Sequence, residues 1–492
     1  GLYAGPNYNP FDPALLAGNY SQDVFDLLTA YPVGNTVYDQ TIVQGVVSGD
    51  LFQLPAGPLG VAVGAEWGNF SLGDTPSLGE QNDEFWGVSS ANPTRGEDTV
   101  QEAFAEINIP LLSGQPFIEE FTFDGSFRAF EYDSYGSDSV WEAGLNWQII
   151  PSVRIRGTKG TSYRAPALYE LYLDELTGFQ DQLLFDPCVD WGNSTNQNVR
   201  TNCAAEGIPD NYNGSGTDAE IISSGGAGIL EAETSEASTL GIIWTPDFLN
   251  LSVAIEYFDI TINDQVTQLG ETNILLGCYS SPVFPNGFCD LFARTFAPGP
   301  GQFNVTTVTD NYINVSQQAT QGIDYTFRYE HEFDFGDLLV ELSATQTMED
   351  VILLFGPGVS AGFNSNDFLG SIGDPEWVGD ATVQLRSNDF TYSWFIDYIG
   401  PTDNEVFFPA DVDYLGRPAR LINTTDPWLS HDFTLRWQGD KVTVTGGVLN
   451  AFDAQAPVIS ANPGQPIQNH ALPATQYDLR GRTFFLRLGY EF

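Results

Sequence analysis

The last ten residues alternate between apolar and polar side chains, and this alternation limits what the chain can fold into. The even-numbered residues of the stretch are apolar or aromatic: Phe484, Leu486, Leu488, Tyr490 and Phe492. The odd-numbered residues are mainly polar or small, and Phe485 is the apolar exception among them. Because successive side chains of a strand point to opposite faces, the stretch is predicted to be a strand with one apolar face.

The same alternation recurs along the chain and predicts about fifteen strands. The predicted segments are 41–54, 57–74, 98–112, 118–134, 137–150, 153–165, 236–246, 249–268, 311–333, 337–355, 376–388, 390–400, 429–439, 441–452 and 475–492. Gly 50, Tyr 21 and Phe 35 against a single Met also favour strands and turns over helices. The sequence therefore predicts an all-β protein.

The connections between these segments differ in length. Short turns join many neighbours, whereas long external loops are predicted at 75–97, 167–235, 269–310, 356–375, 401–428 and 453–474. Soluble domains rarely carry so many loops longer than about 15 residues. A propeller or stacked sandwiches would show repeats of about 40–50 residues or evenly short loops. The pattern instead favours a transmembrane barrel with short periplasmic turns and long external loops.

The charge of the chain restricts its partners. A formal net charge of −48 argues against binding to nucleic acid phosphates. Two interpretations of the charge stay open: solubility in a salty habitat, or acidic loops that hold divalent cations or attract cationic ligands. No apolar run approaches the roughly 18 residues of a membrane helix, but a spanning strand needs only about 9–11.

Three sequence motifs resemble those of TonB-dependent outer-membrane receptors. The longest is Ser162-Tyr-Arg-Ala-Pro-Ala-Leu-Tyr-Glu-Leu171, which contains Tyr163, Arg164, Ala165, Pro166 and Glu170. Ala232-Glu-Thr-Ser235 resembles the family's Pro-Glu-Thr-Ser motif, and Asn450-Ala-Phe452-Asp resembles its Asn-Leu-Phe-Asp motif. The terminal alternating stretch resembles the family's closing strand, whose aromatic end is read by the outer-membrane insertion machinery.

The resemblance implies that the chain is the C-terminal part of a larger barrel. Such barrels have 22 strands and a plugged lumen, so about fifteen strands imply an incomplete or open barrel with an unpaired edge at its last strand. Residues 1–40 are predicted to be an extracellular loop segment, with the barrel part over 41–492. The plug and the segment that engages TonB are expected to lie outside this chain.

The four cysteines fall into two predicted loops. Cys188 and Cys203 share one loop, and Cys278 and Cys289 share the next. Three pairings are possible, and pairing within each loop is favoured because a bridge between loops would require them to cross. A four-thiolate metal site is the alternative, but no Cys-x-x-Cys spacing supports it.

The loops also contain candidate ligand-binding residues. These are Trp86, Trp191, Tyr212, Tyr279, Phe284 and Asp290. Aromatic faces beside carboxylates suit sugar rings, whereas anionic ferric siderophores would call for basic residues, which are scarce in the loops. A neutral or cationic nutrient, such as an oligosaccharide or a peptide, is therefore favoured over a siderophore. Packing within the loops is the alternative role of each aromatic residue.

Basic residues mark three further places. Arg154 and Arg156 share the lumen face of their strand, where they are expected to meet plug or lumen carboxylates. Lys159 has the parity of the lipid face, so either a bulge occurs near Gly157 or the lysine lies above the apolar band. Arg480 and Arg482 are predicted at the upper rim, where contact with lipopolysaccharide is the functional interpretation and a solvated rim the alternative.

The sequence as a whole predicts an outer-membrane receptor of a Gram-negative bacterium that imports a small nutrient with TonB-derived energy. No nucleophile and base set suggests an enzyme, and no cofactor or metal is expected. A passive porin or a surface adhesion barrel is the alternative.

Overall fold

The computed structural model describes residues 11, 13–19, 21–85, 89–214, 218–354, 365–405, 411–414, 417–460 and 477–492. Its strands, in chain order, are β1 (Asn35–Leu54), β2 (Gly57–Thr75), β3 (Thr94–Gln115), β4 (Ile118–Tyr132), β5 (Gly136–Ile150), β6 (Val153–Arg164), β7 (Leu176–Asp181), β8 (Asp218–Ser223), β9 (Glu233–Trp244), β10 (Asn250–Thr267), β11 (Phe292–Arg294), β12 (Val305–Thr309), β13 (Ile313–Phe333), β14 (Gly336–Leu353), β15 (Ser365–Asp367), β16 (Trp377–Ser387), β17 (Phe390–Ile399), β18 (Thr402–Asp403), β19 (Asp411–Tyr414), β20 (Arg417–Arg420), β21 (Thr424–Thr425), β22 (Trp428–Gln438), β23 (Val442–Leu449) and β24 (Thr483–Tyr490).

The helices are short and lie in the connections. They are α1 (Pro13–Leu16), α2 (Gln22–Leu28), α3 (Leu78–Gln81), α4 (Leu168–Tyr172), α5 (Gln197–Ala205) and α6 (Glu271–Tyr279), with 3-10 turns at Gln182–Leu184, Trp191–Asn193 and Gly287–Leu291. Among the residues that the structure describes, no helix is long and apolar enough to cross a membrane.

One large antiparallel sheet organises the chain. Its strand order is β1-β2-β3-β4-β5-β6-β9-β10-β13-β14-β16-β17-β22-β23-β24, and β15 pairs with β14 beside this path. The fifteen strands of the path correspond one to one with the fifteen predicted segments, which confirms the all-β prediction. Among the described residues the sheet is not closed, because β1 pairs there only with β2 and β24 only with β23. The open edge expected at the last strand is therefore present.

The predicted boundaries differ most at the two end strands, and β24 begins at Thr483, eight residues after the predicted start at 475. β1 begins at Asn35, six residues before the predicted start at 41, and α1 and α2 lie within the segment predicted as loop. The first six residues of β1, 35–40, carry polar side chains at both even and odd positions and place Val37 next to Tyr38, so their alternation is weak in the sequence. The predicted short connection near Tyr135 is present, since β4 and β5 are paired up to Tyr132 and Gly136.

The connections alternate between two ends of the sheet, which are called here the turn end and the loop end. Turns such as 55–56, 151–152 and 334–335 lie at the turn end, and the long connections lie at the loop end. Gly336 shows why glycine is needed in one of these turns. Its φ is +154°, and a Cβ there would lie 2.3 Å from the Arg386 carbonyl oxygen.

The two faces of the sheet differ in polarity. One face carries exposed apolar side chains, such as Leu145, Leu240 and Leu342, as a lipid-facing surface requires. The opposite face, which would line the lumen of a barrel, carries charged pairs such as Arg156 with Glu256. The parity of Arg154 and Arg156 thus places them on the lumen face, where Arg154 Nε donates to Gln148 Oε1 at 2.8 Å.

Candidate functional site

Two long loops at the loop end fold together into a compact cap, formed by residues 165–232 and 268–312. A small sheet in the order β11-β12-β8-β7 takes two strands from each loop. Its core contains Phe185 and Ala219 from the first loop and Leu275, Val305 and Val308 from the second, all almost fully buried. The sequence missed this sheet because strands of three to six residues show no sustained alternation.

Disulfides lock each half of the cap. Cys188 pairs with Cys203, and Cys278 pairs with Cys289, as predicted. Three of these cysteines have no exposed surface and pack in one cluster with Tyr212. No group of three or more potential metal ligands occurs in the described ranges. Each bridge closes a short segment and contributes about 3 kcal/mol in the chain-entropy model.

A buried ion pair joins the two halves of the cap. Arg294 donates to both carboxylate oxygens of Asp186, at 2.8 Å each, and its side chain is 2% exposed while that of Asp186 is 0% exposed. Arg294 also donates to the Phe303 carbonyl and to the Tyr279 hydroxyl, so its donors are largely satisfied. The hydrogen bonds to Asp186 raise the pKa of Arg294 above its ordinary value although burial alone would lower it. The pair therefore fixes one loop against the other.

Three of the candidate ligand-binding aromatics make contacts inside the cap. The Tyr212 hydroxyl donates to Asn304 Oδ1 at 2.8 Å, and burial raises the pKa of Tyr212 to about 12. The Tyr279 hydroxyl donates to Glu206 at 2.6 Å, and burial raises the pKa of Tyr279 as well. Trp191 donates through Nε1 to the Ile208 carbonyl. These contacts describe packing, and a ligand role for the three residues stays a prediction.

The other candidate residues lie in different surroundings. Phe284 is half-buried and stacks on Tyr279 at a centroid distance of 5.7 Å. Asp290 is exposed on the cap surface. Trp86 lies outside the described residues. Of the described candidates, Asp290 is exposed, whereas Trp191 and Phe284 are half-buried.

Arg164 anchors the cap to the sheet, at the point where β6 leads into the first loop. Its guanidinium donates to Glu170 at 3.0 and 3.1 Å and to Glu233 at 2.7 and 2.6 Å. Glu170 also accepts from the Ala167 amide at the start of α4, and Glu233 accepts from the Val266 amide at the end of β10. One arginine therefore ties four segments together, and it links two motifs that the sequence shows separately.

The remaining residues of the motif at 162–171 have packing roles. Leu171 is 1% exposed and packs with Leu168, Leu230 and Val266 beneath the first loop. The motif also includes Ser162, whose hydroxyl lies 2.7 Å from that of Ser235 on β9. The turn of Ala165 and Pro166 separates β6 from α4, because proline disfavours a helical conformation of the residue before it.

An aromatic group lies below Arg164 at the loop end of β3 to β6. Tyr163 stacks on Phe130 at 3.6 Å, and its hydroxyl donates to Glu102, which also pairs with Arg128 at 3.0 Å. Tyr132 packs edge-on against Tyr163. Glu102 is 7% exposed, so its charge is stabilised by these two donors. Sequence reasoning missed Glu102 and Arg128, because in so acidic a chain a carboxylate carries little information.

Two adjoining concavities open on the lumen face beside this aromatic group. They measure about 420 and 250 Å³ and share Glu106, Ser126 and Glu142 in their walls. Asp124 accepts a hydrogen bond from Asn108 in the larger one. Glu106 and Glu142 have no cationic partner within 4 Å in the described part of the chain. The wall therefore offers uncompensated negative charge.

A second group of carboxylates lies on the lumen face of the later strands. Asp380 and Asp397 are direct cross-strand partners on β16 and β17. Together with Asp478 and Trp428 they line a concavity of about 450 Å³. By contrast, several arginines of this face have carboxylate partners, as Arg156 does with Glu256 and Arg328 with Glu341. These arginines are thus neutralised, whereas Asp380 and Asp397 have no cationic partner within 4 Å among the described residues.

The last motif shapes the final loop. Asn450 is 2% exposed and adopts a φ of +48°. Its amide exchanges side-chain hydrogen bonds with Ala454, while its backbone N–H donates to Asp432. Phe452 is exposed on the outer surface and packs edge-on against His431 at 5.0 Å. Asn450 therefore fixes the turn out of β23, and Phe452 contributes to an outward aromatic group.

The structure also shows the surroundings of the terminal strand and of the two arginines predicted at the rim. Phe484, Leu486, Leu488 and Tyr490 point outward from β24 and are 58–76% exposed, and Phe492 is fully exposed. Arg480 pairs with Asp478 at 3.0 Å, which lowers the pKa of Asp478. Arg482 donates to the Ala451 carbonyl. Both arginines thus have partners within the chain, and lipopolysaccharide contact by them stays a prediction.

The sequence matches the family model described as TonB dependent receptor-like, beta-barrel, over residues 2–451. The chain belongs to the TonB-dependent receptor family. Members of this family are transport receptors of the Gram-negative outer membrane. The match covers most of the chain and confirms the resemblance seen in the three motifs.

Solved structures of TonB-dependent receptors share the fold. The ferric enterobactin receptor of Pseudomonas aeruginosa has a TM-score of 0.59 and 18% identity, covering 92% of this chain and 54% of the other. The siderophore receptor PirA of Acinetobacter baumannii has a TM-score of 0.56 and 14% identity, covering 93% and 55%. The hemophore receptor HasR of Serratia marcescens has a TM-score of 0.52 and 12% identity, covering 94% and 60%. The chain spans little more than half the length of these proteins.

Proposed function

We propose that the chain forms part of an outer-membrane receptor that binds a nutrient at its loop end and imports it with TonB-derived energy. The family membership supports transport, and the cap over the loop end supports ligand capture from outside. TonB would supply the energy for this import, as membership of the family implies. The two open edges of the sheet would pair with further strands of a 22-stranded barrel, because open edges are not tolerated in hydrocarbon.

We further propose that the nutrient is neutral or cationic, with an oligosaccharide or a peptide favoured over an anionic ferric siderophore. The observation that supports this is the imbalance on the lumen wall. Arg128, Arg156 and Arg328 of this wall are held by Glu102, Glu256 and Glu341. Glu106 and Glu142 have no cation within 4 Å among the described residues. A negatively charged wall repels an anion and attracts a cation.

The solved neighbours are named as siderophore and hemophore receptors, but at 12–18% identity their likeness describes the fold and not the substrate. Insertion into the outer membrane would use the alternating terminal strand as its signal. Contact with lipopolysaccharide would occur on the outer surface.

The experiment is an uptake panel with radiolabelled substrates in cells that produce or lack the full-length receptor. The panel contains neutral oligosaccharides, cationic peptides and ferric siderophores. Receptor-dependent uptake of an oligosaccharide or a peptide is expected. Receptor-dependent uptake of ferric siderophores alone would refute the proposed substrate class.

A further inference from the structure

The lipid-facing surface contains a groove over β4, β5, β6 and β9. The groove has a volume of about 590 Å³, and its walls are apolar: Phe121, Phe123, Leu145, Trp147, Ile155 and Leu240. It exists because Gly157 lies directly between Leu145 on β5 and Leu240 on β9 in the strand register. A glycine between two leucines leaves the width of one side chain empty, which matches the width of an acyl chain.

One lysine lies at the loop end of this groove. Lys159 is paired in register with Ala143 and Ser238, one outward position beyond Gly157. No register shift occurs at Gly157, so the lysine is on the outer face and the bulge considered from the sequence is absent. On β5 the outward apolar residues continue to Trp141, beyond the level of Ala143. The lysine therefore starts within the apolar band.

A lysine in this position needs an anionic partner or a path to water. Its four-carbon stem can lie along apolar surface while the ammonium group reaches the membrane interface. The described residues offer it no carboxylate within 4 Å, and Glu236, which shares the outer face of β9, forms no ion pair with it. The ammonium group is therefore available to an external anion.

We propose that this groove binds lipid A, the phosphorylated acyl part of lipopolysaccharide, with an acyl chain over Gly157 and a phosphate at Lys159. The proposal rests on the outer-membrane location proposed above, since Lys159 lies toward the loop end and hence in the outer leaflet. A phosphate and an ammonium group are complementary in charge, and a charge-assisted contact of this kind resists exchange with neutral lipids. The acyl chain fills apolar surface that the protein itself leaves open.

The test is native mass spectrometry of the full-length receptor in mild detergent, titrated with purified bis-phosphorylated lipid A, phosphatidylglycerol or phosphatidylethanolamine. Wild type is expected to retain one lipid A in preference to both phospholipids. Lys159→Gln should weaken lipid A binding about tenfold, because one charge-assisted contact is lost. Gly157→Leu should abolish it, since a Cβ at Gly157 would meet only ordinary contacts at 3.4 and 3.6 Å and the side chain would then occupy the groove.

Gly60→Leu is the matched control. Its Cβ would face Asn108 on the lumen side at 3.6 Å, so lipid A binding should not change. Heat-modifiable migration on gels verifies that each variant is folded. Equal lipid A binding by wild type and both groove variants would overturn the proposal, and so would a preference for phosphatidylglycerol. Because this measurement involves no uptake, a negative result would refute the lipid A site without refuting the proposed transport function.

Discussion

The buried ion pair between Asp186 and Arg294 allows a quantitative test of the cap. Asp186→Asn keeps the shape of the side chain but removes its charge, and leaves a guanidinium that is 2% exposed without its counterion. Breaking a buried pair in this way costs about 3–5 kcal/mol. At about 1.4 kcal/mol for each factor of ten, local opening of the cap should become roughly 10²- to 10⁴-fold more frequent. Both disulfides remain, so the difference isolates the ion pair.

Hydrogen exchange of the backbone amides, read by mass spectrometry, measures this opening. Amides of β8, β12 and α6 should exchange faster in Asp186→Asn, while amides of the large sheet stay unchanged. Asp478→Asn is the control, because its partner Arg480 is 72% exposed and such a pair contributes about 0–1 kcal/mol. Unchanged protection of the cap in Asp186→Asn would refute the conclusion that the pair holds the two loops together.

Three further predictions concern the anchor, the buried tyrosine and the turns. Arg164→Met should weaken the junction of cap and sheet by about 1–3 kcal/mol, seen as faster proteolysis of the first loop, whereas Arg156→Met should leave that loop unchanged because Arg156 pairs between strands. Burial raises the pKa of Tyr212 to about 12, so stability from this hydroxyl is complete below pH of about 10 and is lost as pH rises toward 12. Exchange of cap amides across this range should show a larger loss in wild type than in Tyr212→Phe, in which Tyr279, whose pKa burial also raises, remains. Gly336→Ala forces a Cβ to 2.3 Å from the Arg386 carbonyl oxygen and should lower the temperature at which the protein unfolds in a heat-modifiability gel. The decrease should be larger than for Gly114→Ala, whose added Cβ would meet no atom within 4 Å. Equal decreases in the two variants would contradict the steric explanation.

The sheet could be predicted because its signal is periodic over long strands. The fifteen segments and their turns need only the parity of apolar residues, as β24 shows with Phe484, Leu486 and Leu488. The same parity placed Lys159 on the outer face. The cap could not be predicted, since its strands are short and its contacts join residues far apart in the chain. Arg294 and Asp186 are 108 residues apart, and nothing local distinguishes this carboxylate from the 64 other acidic residues.

The contacts between motifs could not be predicted from the sequence either. Arg164 and Glu233 belong to two motifs that were each recognisable, but only the register of β6 with β9 brings them together. The aromatic candidates illustrate the opposite case. Tyr212 and Tyr279 are of the residue type expected in a ligand site, yet their hydroxyls form hydrogen bonds within the cap. Composition alone cannot separate a packed aromatic residue from a binding one.

Energy-coupled import by this receptor is tested most directly by measuring substrate accumulation with and without TonB. Cells producing the full-length receptor are compared with cells lacking the receptor and with cells lacking TonB, using the substrate identified by the uptake panel. Accumulation above the external concentration should be lost equally in cells lacking the receptor and in cells lacking TonB. Receptor-dependent entry that continues without TonB would contradict energy-coupled import and would identify a passive pore.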